Sequence, residues 1–419
     1  GLNTYSGGTT NAGGTLNIAN NSAVGTGPVS YLSGAVHIAD GTVITNIFVV
    51  PSSTADSMMD LVSGTATWAG DIQLTGGGAQ FRPSGVNGTL ILTGNGSFGN
   101  RNFIIPRGSV RFASNAVFSA NGGACSFDRN STKNSAFITV ADNASVSFSQ
   151  FSLGGGQASG GRMILTISDN ANFSVANNFD LHDSTASSAV SSVNLDGGTL
   201  TVGGFIKTRT GASQLSTNFF NGGTLKASAD NVSFLPALNG LTAIVQTGGA
   251  KIDDGGFAVT IAAPLIHDSS LGSTTDGGLT KLGAGALTLS GVNTYTGGTF
   301  INAGILALSG TGSIFNSKNI FVGSGATFDF SGTSTGNFAL NAGQILWGNG
   351  AVNGNFTLNA GAILSPGSNS IGALTFSNSL TLAAGSTNIF EVSHLPLASD
   401  SVKIFGALTN GGTLIVTNI

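Results

Sequence analysis

Few side chains here are of types that do chemistry, and they fall into small groups. Asp180, His182 and Asp183 form the densest titratable cluster, and a second His-Asp-Ser triplet stands at His267, Asp268 and Ser269. Either could serve acid–base work or hold a metal. Each, however, follows an apolar strand end and runs into a Ser-rich stretch, which is the composition of a capped corner. Asp253 and Asp254 are adjacent carboxylates, but a glycosidase pair must flank one site, about 5–9.5 Å apart. Strand neighbours point to opposite faces, so KIDDGGF reads as a turn before a strand. Arg101, Arg107 and Arg111, with Arg129 and Lys133 beyond, could neutralise a uronate in a lyase. A solvated face, or pairing with Asp128, is the simpler reading. Trp68 and Trp347 could be sugar-stacking platforms, although packing is favoured for both, and Trp347 aligns with Ser365 and Asp329 of the neighbouring repeats. Cys125 is the one cysteine and reads as a small core residue. There is no P-loop, no Gly-x-Ser-x-Gly elbow with placed Asp and His, and no calcium-type nonapeptide. No catalytic, cofactor-binding or metal residue is assigned.

Composition narrows the class. Of 419 residues 65 are Gly, charged residues are 8% and hydrophobic residues 40%, with 27 Phe. Low charge with abundant Gly, Ser and Asn could suggest disorder, but a disordered chain lacks this apolar content. The net charge of −4 and the lack of a Lys/Arg run argue against nucleic acid. Glu391 is the single Glu among 18 acidic residues, a bias that suits turns over helices. No apolar run is long enough for a membrane helix.

The elements that would position these groups are strands. GTLNIAN, GAVHIAD, GTLILTG and GALTLSG alternate apolar and polar residues and break at Gly, Asn or Asp. Met58–Val62 is the best candidate for a helical turn. Asn337–Gly354 and Asn355–Gly372 superpose at an offset of 18 residues, and the stretch from Asn319 fits more loosely. Gly325, Gly343 and Gly361 share one position in this template, and Val322, Leu340 and Leu358 another. A Leu-Asn-Ala-Gly-like pattern ends at Gly304, Gly325, Gly343, Gly361 and Gly385. A second turn family, at Ser114, Asp142 and Asp169, repeats its Asn at steps of 28 and 27. Gly-Gly pairs at Gly13, Gly197, Gly222 and Gly411 mark the starts of strands after tight corners. Repeats that bury no core alone must stack. The expected fold is all-β, a right-handed parallel β-helix of roughly 20 coils at about 4.8 Å per coil. Residues 1–419 are read as one continuous β-helix, with regular 18-residue coils over 319–372.

The stretch GLTKLGAGALTLSGVNTYTGGTFINAGIL, from Gly278, resembles the autotransporter-associated β-strand repeat of bacterial passenger domains, assigned to residues 278–310. GLNTYSGGT at the start repeats its second half at an offset of 290 residues. The motif residues are Asn293, Tyr295, Gly297, Gly298 and Thr299, with Asn3, Tyr5, Gly7 and Gly8 in the other copy. LSPGSNSIGALTF from Leu364, and the ending from Leu380, resemble terminal segments of such proteins. The chain starts inside a motif, so both ends are expected to be cut from a longer polypeptide. The resemblance implies export and a place on the cell surface, and it transfers no catalytic residue.

The function expected is that of a non-enzymatic extracellular rod in a surface, matrix or filament protein, with end-to-end or lateral self-association or other surface components as partners. A glycan-binding adhesin is the alternative, and a polysaccharide-degrading enzyme comes third. No cofactor, nucleic acid or membrane span is expected.

Overall fold

The computed structural model describes residues 2–51, 58–61, 63–77, 79–105, 107–127, 135–154, 161–183, 189–211, 213–367 and 370–419. Arg129, Lys133, Asp128 and Val62 lie outside them. Strands make up the described secondary structure, apart from one 3-10 turn at Ser269–Leu271. The chain divides into two compact units, Gly1–Phe219 with Leu238–Leu241, and Phe220–Ala237 with Thr242–Ile419. Each is a parallel β-solenoid. Together they make about 15 turns, approximately consistent with the roughly 20 expected.

In the first unit each later coil carries a long strand broken by a register shift, then a short strand. Val117–Phe127, Ser145–Ser152, Asn172–Asp180 and Thr199–Ile206 stack in one ladder. Gly108–Phe112, Ala136–Val140, Arg162–Ile167 and Val190–Leu195 stack in another. Val117 lies opposite Ser145 and Ser145 opposite Asn172, so these coils keep the spacing of the Asn turns. Ser114, Asp142 and Asp169 all take left-handed φ, between 57° and 59°. That conformation costs an L residue roughly 1–2 kcal/mol. It is offset by carboxylates that accept amides from the coil beneath: Asp142 from Ser114 at 2.7 Å, and Asp169 from Asp142 at 3.1 Å. Asn115, Asn143 and Asn170 are linked amide to amide along the same corner.

Inward aromatic rings of the first unit form a stack. Phe48, Phe81, Phe103, Phe148, Phe151, Phe179 and Phe205 follow one another with ring centroids 4.9–6.2 Å apart. Offset and edge-to-face contacts at this range add to the burial of the rings.

Three parallel ladders run through most of the second unit, and Leu241–Val245 pairs in parallel with Leu265–His267 at its start. One runs from Thr224–Ala227 through Ala250–Asp253, Leu279–Leu282, Thr299–Ile301, Asn319–Val322, Ile345–Gly348 and Ile363–Pro366 to Thr387–His394 and Thr413–Asn418. The eight-stranded second ladder includes Ala258–Ile261, Ala286–Leu289, Ile305–Gly310 and Thr327–Thr333. The third has four strands, from Asn337–Leu340 to Leu408–Asn410.

Several expectations change. Met59–Leu61 is a strand paired with Val36–Ile38, not a helical turn, because three buried side chains are fixed by sheet pairing. The 18-residue register holds from Asn337 to Asn355 and from Ile345 to Ile363. It fails for the stretch from Asn319, which lies against Ile345, so that coil spans 26 residues. Gly325, Gly343 and Gly361 share a left-handed φ of 73–79°. Yet Gly325 turns into Thr327–Thr333 of the second ladder, while Gly343 and Gly361 turn into strands of the first. One turn chemistry serves two corners, and the step from 325 to 343 crosses between them. Trp347 accordingly lies between Phe321 and Ser365, not beside Asp329. Gly13 sits within strand Thr9–Ile18, at a register shift, not ahead of a strand.

Candidate functional site

The repeat motif ties three successive coils. Asn293 is buried, and its Oδ1 accepts the Leu265 amide of the preceding coil at 2.9 Å. Its Nδ2 donates to the carbonyls of Gly291 at 3.0 Å and Ser313 at 2.9 Å, the latter in the following coil. Tyr295, also buried, meets Thr299 Oγ1 at 2.7 Å, and Thr299 meets Ser317 Oγ at 2.9 Å. A Cβ at Gly297 would fall on backbone atoms of Gly278 and Asp276, and one at Gly298 would press on the Phe300 ring. In the N-terminal copy Tyr5 makes the same contact with Thr9, at 2.6 Å, and Asn3 donates to the Ala23 carbonyl at 2.7 Å. Gly8 has φ of 83° and lies under Pro28, whereas Gly7 has open space around it.

Sequence reasoning missed the group that anchors this motif. Asp276 Oδ1 accepts the amides of Gly278 and Gly297, each at 2.9 Å. Its Oδ2 accepts the Thr296 amide at 2.8 Å and His267 Nδ1 at 2.7 Å. Burial alone would raise this carboxyl; the amide donors and His267 outweigh it and hold it below its usual range. The hydrogen bond to Asp276 in turn raises His267. Asp268, the neighbour of His267, caps the turn at Ser269–Leu271 through the Ser270 amide at 2.9 Å. The only signal for Asp276 was an Asp followed by Gly-Gly.

Asp253 and Asp254 diverge, as neighbours on a strand do. Asp253 pairs with Lys226 at 2.9 Å near the surface. Asp254 is wholly buried and pairs with Lys281, whose Nζ also donates to the carbonyls of Leu282 at 3.0 Å and Gly283 at 2.8 Å. The amides of Gly256 and Gly285 reach Asp254 Oδ1, each at 2.8 Å. Lys281 lies two residues beyond the inward Leu279, so strand alternation placed it inside.

Asp180 and Asp183 reach one groove of about 600 Å³ in the first unit, together with Asn102, Gln150 and Asn178. Among the described residues no cationic side chain lines it. Asp180 is engaged within the fold: it accepts the amides of His182 at 3.0 Å and Thr208 at 3.1 Å, and the Thr208 hydroxyl. His182 is fully buried, with Nδ1 at 3.2 Å from Ser191 Oγ and Nε2 without a partner. The Ser191 hydroxyl donates to the Leu181 carbonyl at 2.5 Å, so it is not poised for attack. Burial first, and then the Lys207 charge, push His182 down to about 4 from 6.5, against the field of Asp180. Between these values the unfolded chain binds the proton and the folded one does not. Stability should therefore fall as the pH drops from 6.5 towards 4, by on the order of 3 kcal/mol. Urea unfolding across this range should show the slope, and His182→Leu should flatten it.

The remaining candidates separate. Arg101 donates to the Gly76 carbonyl at 2.6 Å, Arg107 faces Asp60 at 3.7 Å and Arg111 meets Asp142 at 3.3 Å. They do not converge. Cys125 is buried and its thiol is pushed up by that burial. Trp68 is fully buried and its indole N–H donates to the Asn46 carbonyl at 2.9 Å. Trp347, by contrast, is half-buried on the outer face of its sheet. Among the described residues no three His, Cys, Asp or Glu side chains gather as a metal site.

The passenger-associated-transport-repeat model matches residues 279–308, the stretch that holds Lys281, Asn293, Tyr295 and Thr299. The chain is autotransporter passenger-like. An extracellular serine protease of Serratia marcescens is 38% identical over 73 residues, which is 17% of this chain and 7% of that protein. The passenger-like chain thus spans a small part of the curated relative it matches. No solved structure matches it. The repeat and this similarity go with a secreted or surface location.

Proposed function

We propose that this chain is a non-enzymatic structural segment of a large extracellular bacterial protein, a stiff β-helical spacer of a surface, matrix or filament assembly. One observation carries the reading: most of the buried or corner carboxylates, the candidates Asp180 and Asp254 among them, are committed to the coil ladders. Asp142, Asp169, Asp180, Asp254 and Asp276 each accept backbone amides from neighbouring coils. A carboxylate held this way is a staple, not an acid or base poised for a substrate. Association with further copies or other surface components belongs to the same proposal, through exposed strand edges. The protease relative shares too little of its length to lend its activity.

Limited proteolysis tests the reading. The purified chain should stay largely intact under proteinase K or thermolysin at concentrations that degrade ordinary multidomain proteins. It should turn over neither peptide, ester nor uronate-polymer substrates. Rapid digestion throughout the coils, or turnover lost on changing Asp180, would overturn it.

A further inference from the structure

One feature of the second unit is unused by the ladders. Phe300, Phe321 and Trp347 occupy one outward column on successive coils. Their ring centroids lie 6.4 Å and 4.4 Å apart, and all three are half-buried. On the next coil the column passes to Ser365. Replacing an indole by a hydroxymethyl opens a step in the sheet face. The result is a groove of about 560 Å³, with Trp347 at one side, Ile389 at the other and Ser365 between. Asn319 and Thr417 supply polar atoms, and among the described residues Glu391 is the one charged residue lining it.

We propose that this groove binds a neutral glycan chain. Pyranose rings present an apolar C–H face that packs on an aromatic plane, while their hydroxyls need hydrogen-bond partners at the edge. Trp347, backed by Phe321, offers the plane; Asn319, Ser365 and Thr417 offer the partners. The volume is that of a small-ligand cleft, whereas a stable protein partner needs roughly 800 Å² on each side. The Glu391 carboxylate, with no cation lining the groove, disfavours uronates and sulfated chains. The inference goes beyond the structural reading, which a negative result would leave intact because protease resistance does not depend on this face.

The two tryptophans make the test direct. Trp68 is fully buried, so a ligand-dependent change in emission reports Trp347. Titration of the whole chain with cellohexaose or chitohexaose should give a saturable blue shift at millimolar ligand, and oligogalacturonate should give none. Trp347→Ala should weaken binding about tenfold or more, as loss of an aromatic contact does. It is followed by calorimetry, since the reporter is lost. Ser365→Leu should fill the step and block binding while leaving both tryptophans and the fold in place. No saturable response to either neutral oligosaccharide, or equal affinity in Trp347→Ala, would overturn the proposal. So would a change in Trp347→Ala confined to oligomeric state, which would make the column a contact between copies.

Discussion

Asp276→Ala is expected to loosen the repeat motif and cost about 3–5 kcal/mol. The carboxylate is buried and satisfies the amides of Gly278, Thr296 and Gly297 together with His267 Nδ1. Alanine leaves these donors facing a void. Each buried donor left unpaired costs about 1–3 kcal/mol, with partial relief where water enters. Asp276→Asn retains one acceptor oxygen and should lose about half as much. Native-state hydrogen exchange is the suitable measurement, because it reads local opening at the three amides themselves. Protection at Gly278, Thr296 and Gly297 should collapse in Asp276→Ala while that at Ala136–Val140 persists. The contact also has a pH window. Asp276 is lowered from 3.8, so its stabilisation is present above that value and is lost as the pH falls through the lowered one. His267 is raised from 6.5, so its share is full below 6.5 and is lost as the pH rises through the raised value. Protection should therefore be greatest from about pH 4 to 6.5. Unchanged exchange in Asp276→Ala would mean that the glycines hold the corner unaided.

Lys281→Met is the second large effect, at about 3–5 kcal/mol. Both partners of the Lys281–Asp254 pair are without solvent exposure. Methionine matches the length of the lysine stem but strands the Asp254 charge inside the coil. The carbonyls of Leu282 and Gly283 lose their donor as well. Adding Asp254→Asn should restore part of the loss, because the amide oxygen still accepts from Gly256 and Gly285 without a buried charge. Thermal unfolding of the two single variants and the double variant closes the cycle. If the double variant is no more stable than Lys281→Met alone, the buried charge is not what makes the loss large.

The fold was legible because its cause is local. Alternation of apolar and polar residues fixes which side chains turn inward, and Gly, Asn and Asp mark the corners. The Asn turns at residues 115, 143 and 170 lie in the register their spacing implied. The 18-residue repeat was half legible. Asn337–Leu340 does stack on Asn355–Leu358. The looser stretch from Asn319 shares turn chemistry but occupies a different corner, since a Gly in left-handed conformation suits any tight corner and does not say which. The Met58–Met59 stretch misled in another way: its apolar run lacks alternation, and pairing with Val36–Ile38 decided it.

The site residues divide along the same line. From the sequence, Asn293, Tyr295 and the paired glycines stood out as a repeated motif, and the acidic residues as turn formers. Only the tertiary structure could show that Asp276 reaches the motif from about 20 residues upstream, or that Lys281 neutralises Asp254 within the coil. Only the tertiary structure separates Trp68, sealed in the core, from Trp347, laid against Phe321 on the outer face. The physical reason is that alternation sets the inward or outward sense of a side chain within its own strand. Its neighbours are chosen by the length of the intervening coil, and that length varies here from 18 to 29 residues.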